Sequence, residues 1–266
     1  MRRMNATLIV PILLGWVSGL FVNYSADVLP RTRRFSSPAC RNCDNRFTWL
    51  DYLLLRACRS CGIVRSLRTW IVQLAMTASF AYFWLTPPKA LGLPLSLIVL
   101  TYFAVITVID LEHRLILFPT SVFGALLGLV VGTVVYQRLG LALPNAIGAS
   151  LLGGVIGFGI MFLLYQFGTL VARYRSQKMQ TEGMADDEEE ALGGGDVYLA
   201  GVLGLMLGYE FVFYGLAYGI LFGGVISVIF LLTSMLQRKY SSNSMMVFIP
   251  YGPYLIAGAF YMLFLG

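Results

Sequence analysis

Residues 91–114 read LGLPLSLIVLTYFAVITVIDLEHR. From Leu91 to Ile109 no side chain is charged, and a bilayer core is crossed by roughly 20 apolar residues of α-helix. The stretch therefore reads as a membrane span, and its first charge, Asp110, falls where the helix meets the polar boundary. The composition repeats this pattern throughout, with 58% hydrophobic and 12% charged residues and a mean hydropathy of +0.76. Soluble domains carry roughly 25% charged residues. The expected fold is all-α, a polytopic membrane helix bundle of about eight transmembrane helices, with little room for a separate soluble domain.

Apolar runs cover residues 6–22, 70–85, 91–109, 118–136, 144–171, 197–207, 211–236 and 246–265. The first follows Arg2 and Arg3 in the manner of a secretory signal, but it lacks a small-residue cleavage site and is read as a retained helix. The sixth is short for a span, and is either broken, tilted or continued past Tyr209. Basic residues near span ends stay on the cytoplasmic side, and residues 24–68 hold nine of the nineteen Lys and Arg. With that segment inside and the spans alternating, Arg114, Arg173, Arg175, Lys178, Arg238 and Lys239 fall inside too. The net charge of +6 thus faces anionic lipid, and no nucleic-acid partner is needed to explain it. Asp186, Asp187, Glu188, Glu189 and Glu190 reverse the sign in one run, which reads as a solvated loop. Three regions are expected: a first transmembrane helix, 1–23; a cytoplasmic zinc-binding loop, 24–68; and a membrane-embedded domain, 69–266.

All four cysteines lie in that loop, as Cys40-Arg41-Asn42-Cys43 and Cys58-Arg59-Ser60-Cys61. Paired thiolates at C-x-x-C spacing clasp one side of a tetrahedral ion, and two pairs complete the all-thiolate shell of structural zinc. The fourteen intervening residues fall just short of the usual fifteen to twenty. Two disulfides are the alternative, disfavoured by a reducing compartment. With no open coordination position, such an ion staples the loop and does not activate water.

Two aspartates stand at the ends of apolar spans. One is Asp110; the other is Asp196, in Gly193-Gly194-Gly195-Asp196. An ionisable group at such a depth is a functional candidate, because its charge is costly to bury. Each also has a structural explanation: Asp110 pairing with Arg114 one turn on, or Asp196 capping the sixth helix. The charge pattern places both on one membrane face. Two converging carboxylates share a proton, so that one acts as base toward water while the other polarises a carbonyl. The glycines at 193–195 would let an extended substrate backbone approach. His113 is the only histidine, which excludes an H-E-x-x-H zinc protease; its place beside Arg114 suits an interfacial role.

At these residues the chain resembles the type IV prepilin peptidases, or type IV leader peptidases, a GxGD class of membrane aspartic protease. Gly193 to Asp196 is similar to the GxGD signature, and Ile109-Asp110-Leu111-Glu112-His113-Arg114 to the segment of the first catalytic aspartate. The cysteine pairs resemble the family's zinc loop. Gly19-Leu20-Phe21-Val22-Asn23 with Leu29-Pro30-Arg31, and Ile249-Pro250-Tyr251-Gly252-Pro253-Tyr254, are similar to its N-terminal and final-helix segments.

The resemblance implies an inner-membrane endopeptidase that cleaves class III leader peptides of prepilins and pseudopilins at the cytoplasmic face, with Asp110 and Asp196 catalytic. Many members also methylate the new N-terminus from S-adenosylmethionine, an activity these residues leave open. Two positions depart from the family pattern: Tyr198 stands where lysine is common, and Pro119 comes late and is followed by Thr120. A transporter or channel using both aspartates as proton or cation sites is the competing function. Such proteins place their sites near the bilayer midplane between repeats, and neither feature is visible here.

Overall fold

The computed structural model describes residues 2–181, 193–236 and 250–265. The acidic run at 186–190, the basic pair Arg238 and Lys239, and Ile249 lie outside the described residues. The described residues are helical apart from loops and turns. Five helical stretches are long and apolar enough to cross a membrane: Leu8–Thr32, Leu93–His113, Phe118–Arg138, Leu143–Tyr174 and Gly194–Ile229. This is a multi-pass membrane protein. The chain divides into two compact units, Met1–Pro119 and Thr120–Gly266.

In the first unit α1 (Arg2–Thr32), α3 (Leu67–Leu85) and α4 (Leu93–His113) pack on one another, and the short α2 (Trp49–Leu53) lies in the loop between α1 and α3. The apolar run of α1 stops at residue 22, yet the helix continues to Thr32. Its polar extension is held by partners: Asn23 Nδ2 donates to the Thr69 carbonyl at 3.2 Å and Asn23 Oδ1 accepts from Arg68 at 3.2 Å. Within the apolar stretch, Ser18 Oγ and Thr101 Oγ1 share a hydrogen bond of 2.7 Å between α1 and α4. Helix α4 starts behind Gly92 with Pro94 in its first turn, where a missing N–H costs nothing. It stops at Arg114, whose left-handed backbone returns its N–H to the Asp110 carbonyl at 2.8 Å.

In the second unit α6 (Leu143–Thr181) packs along α7 (Gly194–Leu236), and α7 packs against α8 (Gly252–Phe260), which runs into a π-helical turn, Tyr261–Leu265. Gly153 on α6 meets Gly204 on α7 so closely that a Cβ on either would overlap the other's backbone.

Helix α7 is broken at Gly208 (φ 73°, ψ 178°), a backbone region essentially confined to glycine. The Tyr136 ring of α5 (Phe118–Arg138) fills the space a side chain there would need. Two backbone groups freed by the break find partners: Ser150 Oγ donates to the Leu205 carbonyl at 2.7 Å, and the Glu210 N–H donates to Tyr136 Oη at 3.2 Å. Across the break Leu207 packs against Gly215, a contact that a straight helix rising 1.5 Å per residue would not bring about. The sixth and seventh runs are thus separate helical segments, and of the choices open to the short sixth run the structure takes the broken one. With α1, α3, α4, α5, α6 and α8, they make eight apolar helical segments among the described residues.

Candidate active site and metal centre

The four-cysteine loop is built from two turns of one design. In the first, the Cys40 N–H donates to the Asn45 carbonyl at 2.9 Å and the Asp44 N–H to the Cys40 carbonyl at 3.1 Å. In the second, the Cys58 N–H donates to the Ile63 carbonyl at 3.0 Å and the Gly62 N–H to the Cys58 carbonyl at 2.8 Å. Asp44 and Gly62, each following the second cysteine of its pair, take the same left-handed backbone (φ 51° and 70°).

The turns face each other, and all four Sγ atoms lie within 4.8 Å of one another. Cys40 Sγ is 3.6 Å from Cys61 Sγ, and Cys43 Sγ is 3.7 Å from Cys58 Sγ. Zn–S bonds of about 2.3 Å in a tetrahedron put sulfurs about 3.8 Å apart, whereas a disulfide needs about 2.05 Å. The cysteines are free thiols. The donor set therefore fits a metal ion, and no disulfide joins the four sulfurs in this structure.

Backbone N–H groups favour the thiolate at Cys40 and Cys58. The N–H groups of Cys61 and then Ser60 bring the Cys58 thiol down to about 6, and the Asn42 N–H lowers Cys40. Against the lowering by the Asn45 N–H, desolvation and then the thiol neighbours Cys61, Cys58 and Cys40 push Cys43 up to about 12.

An arginine sits inside each pair and points away from the sulfurs. Arg59 Nε lies 2.7 Å from Asp51 Oδ2 on α2, and Asp51 also accepts from Thr48 Oγ1 at 2.6 Å. Arg41 Nη2 reaches Asp27 on α1 at 2.9 Å and Glu112 on α4 at 2.7 Å. The sequence pattern does not single out Asp27, Asp51 or Glu112. The one available signal is the repeated arginine in C-R-x-C, since a cation fixed between two ligands needs a carboxylate in reach.

Each compact unit carries one of the two membrane-edge aspartates. Asp110 is in the last turn of α4, 4% exposed among apolar neighbours such as Ile106 and Ile109. Arg114 touches it through the backbone cap just described. Asp196 is 8% exposed. It lies inside the first turn of α7, its N–H donating to the Gly193 carbonyl at 3.0 Å, so it is a residue of the first turn and not the flanking cap. Gly194 and Gly195 open the helix, and a side chain at Gly194 would meet open space. Tyr198, at the lysine position, sets its ring at a 55° tilt 6.0 Å from that of Phe158 on α6.

Apolar helices in the number expected, with a buried carboxylate at one helix end in each unit and a thiol cluster in the first long loop, define a polytopic helical membrane protein. A sequence profile of the type IV leader peptidase family matches residues 97–228, a stretch that contains both aspartates and none of the cysteines, and the chain belongs to that family. It is 26% identical over 234 residues to a prepilin leader peptidase/N-methyltransferase of Myxococcus xanthus (strain DK1622). That match covers 84% of this chain and 62% of the relative, so the chain spans about three fifths of the relative's length. No solved structure matches the chain.

Proposed function

We propose that this chain is a membrane aspartic endopeptidase that removes class III leader peptides from prepilins and pseudopilins at the cytoplasmic face of the inner membrane. Asp110 and Asp196 are its catalytic pair. The observation that carries this reading is the burial of both carboxylates at the ends of apolar helices, inside the stretch that matches the family. A carboxylate kept in such a place without a chemical task would be costly.

One carboxylate, ionised, takes a proton from water as the water oxygen attacks the scissile carbonyl. The other, protonated, donates a hydrogen bond to the carbonyl oxygen as negative charge develops there. Collapse of the tetrahedral intermediate breaks the C–N bond, and a carboxylic acid protonates the departing amine. Gly193, Gly194 and Gly195 leave room for an extended leader backbone beside Asp196. Cys40, Cys43, Cys58 and Cys61 hold a structural zinc ion that takes no part in this chemistry.

Methylation of the new N-terminus, named for the relative, would require S-adenosylmethionine. Co-expression with a tagged prepilin tests both activities by mass: loss of the leader reports the peptidase, and one added methyl reports the transfer. Asp110→Ala and Asp196→Ala should leave the prepilin uncut; full cleavage by either variant defeats the dyad.

A further inference from the structure

Two arginines and two carboxylates form a closed ring of alternating charge in the first unit. Asp27 of α1 is bridged to Glu112 of α4 twice. One bridge is Arg41 of the first cysteine turn, 2.9 Å from Asp27 and 2.7 Å from Glu112. The other is Arg68 at the start of α3, whose Nη2 contacts Asp27 Oδ1 and whose Nε lies 3.0 Å from Glu112 Oε1. Tyr52 of α2 donates to the second oxygen of Asp27 at 2.6 Å, and Arg68 also donates to Asn23. Three members are well sheltered, with side-chain exposures of 11% for Asp27, 17% for Arg68 and 22% for Glu112.

Glu112 belongs to the same final helical turn as Asp110. That turn is the weak end of α4, because the last four carbonyls of a helix lack intrahelical partners. It is closed here by a non-glycine left-handed residue, Arg114 (φ 52°), a conformation that side chains disfavour. Left alone, such a turn frays and Asp110 loses a fixed direction. The ring opposes this by tying Glu112 to three other elements.

Among the four members Arg41 alone lies between metal-ligating residues, Cys40 and Cys43. An ion on the sulfurs fixes the backbone of Arg41 and with it one side of the ring. We propose that Arg41, Arg68 and Glu112 are positioning residues, and that Arg41 conveys the order of the four-cysteine site to the turn carrying Asp110. This rests on the catalytic role of Asp110 given above. It assigns the cysteine loop a part in proteolysis that needs no contact between metal and substrate.

The test uses the full-length protein in membranes or detergent, with a purified tagged prepilin as substrate. Arg41→Ala and Glu112→Gln should each lower kcat about ten- to a hundredfold, the scale set by misplacing a catalytic group, with KM and bound zinc little changed. The double variant should be no slower than the worse single one, since either change opens the same ring. Arg41→Lys should recover part of the loss. Hydrogen exchange provides a readout independent of turnover: chelating the metal should speed exchange of amides 110–114 in the wild type, and in Arg41→Ala these amides should already be fast and insensitive to chelation. Wild-type kcat in Arg41→Ala, multiplicative losses in the double variant, or exchange at 110–114 indifferent to chelation would each overturn the coupling. Asp110→Ala is measured alongside; if it still cleaves, the protease reading fails, while the exchange experiment still decides whether the ring conveys order.

Discussion

The four-cysteine loop and the helices carrying Asp110 and Asp196 hold their reactive groups by opposite means. In the loop, two turns with matching hydrogen bonds bring four sulfurs within 4.8 Å using side chains no more than 21 positions apart. Nothing distant is required beyond the carboxylates that anchor Arg41 and Arg59. The aspartates stand at helix ends. Asp110 depends on where α4 ends, and Asp196 on how α7 starts and packs along α6. A site made by local turns stands or falls with its own residues, whereas a site made by helix ends is sensitive to packing far from the chemistry.

The largest effect that would sharpen this contrast is at the carboxylates. Asp110→Ala and Asp196→Ala should each cut prepilin cleavage at least about a thousandfold, as expected when one member of a cooperating catalytic set is removed. Bound zinc and thermal stability in detergent should stay near wild type, because neither side chain is part of the loop. A large loss of zinc in either variant would break the separation.

The converse experiment acts on the loop. Cys43→Ser or Cys61→Ser should take zinc from one ion per chain to less than half, measured by metal analysis. The segment between α1 and α3 should become sensitive to protease, since a structural ion supplies folding energy directly. Residual cleavage should exceed that of the aspartate variants, because the reacting groups are still present.

How much of this was legible in the sequence follows the same division. The gathering of the four cysteines could be read because their spacing sets their geometry: each C-x-x-C forms a turn, and the two turns bring the sulfurs together. The spans could be read because length and polarity are the bilayer's own requirements. Helix ends were less visible. The apolar run of α1 stops at residue 22, but its helix continues to Thr32 because Asn23 and Asp27 find polar partners on other elements. Glu112, two positions from Asp110, is not singled out by the sequence pattern, and its partner Arg41 lies seventy-one residues away. No periodicity contains that information.

An intermediate effect tests the sensitivity of the helix-end design to distant packing. Gly208→Ala forces a Cβ into a backbone region that costs of order 1–3 kcal/mol for residues other than glycine, and the new atom would overlap the Tyr136 ring. The variant should melt at lower temperature in detergent, and cleavage should fall with it through the helix whose first turn carries Asp196. Zinc content should be unchanged. Tyr136→Phe, which removes only the acceptor of the Glu210 N–H, should cost about 1 kcal/mol, the scale of one buried hydrogen bond.

The smallest expected effect belongs to a carboxylate in the loop. Asp51 is buried, and the Thr48 hydroxyl and the Arg59 guanidinium hold its acid below the usual carboxylate range. A folded-state pKa below the unfolded value, about 3.9 for aspartate, means the ionised form favours the folded loop. That stabilisation is complete above the unfolded pKa and disappears as pH falls through the lower folded one. Asp51→Asn, which keeps the shape and removes the charge, should therefore melt below wild type at neutral pH. The gap should be constant from about pH 7 to 5 and narrow as pH falls below about 4, where the carboxylate of the unfolded chain begins to take up its proton. Arg59 is largely exposed, so solvent screens its attraction and the neutral-pH gap should shrink further in high salt. A gap that widens on acidification would show that Asp51 is protonated in the folded loop at neutral pH, and that Arg59 is held by something other than its charge.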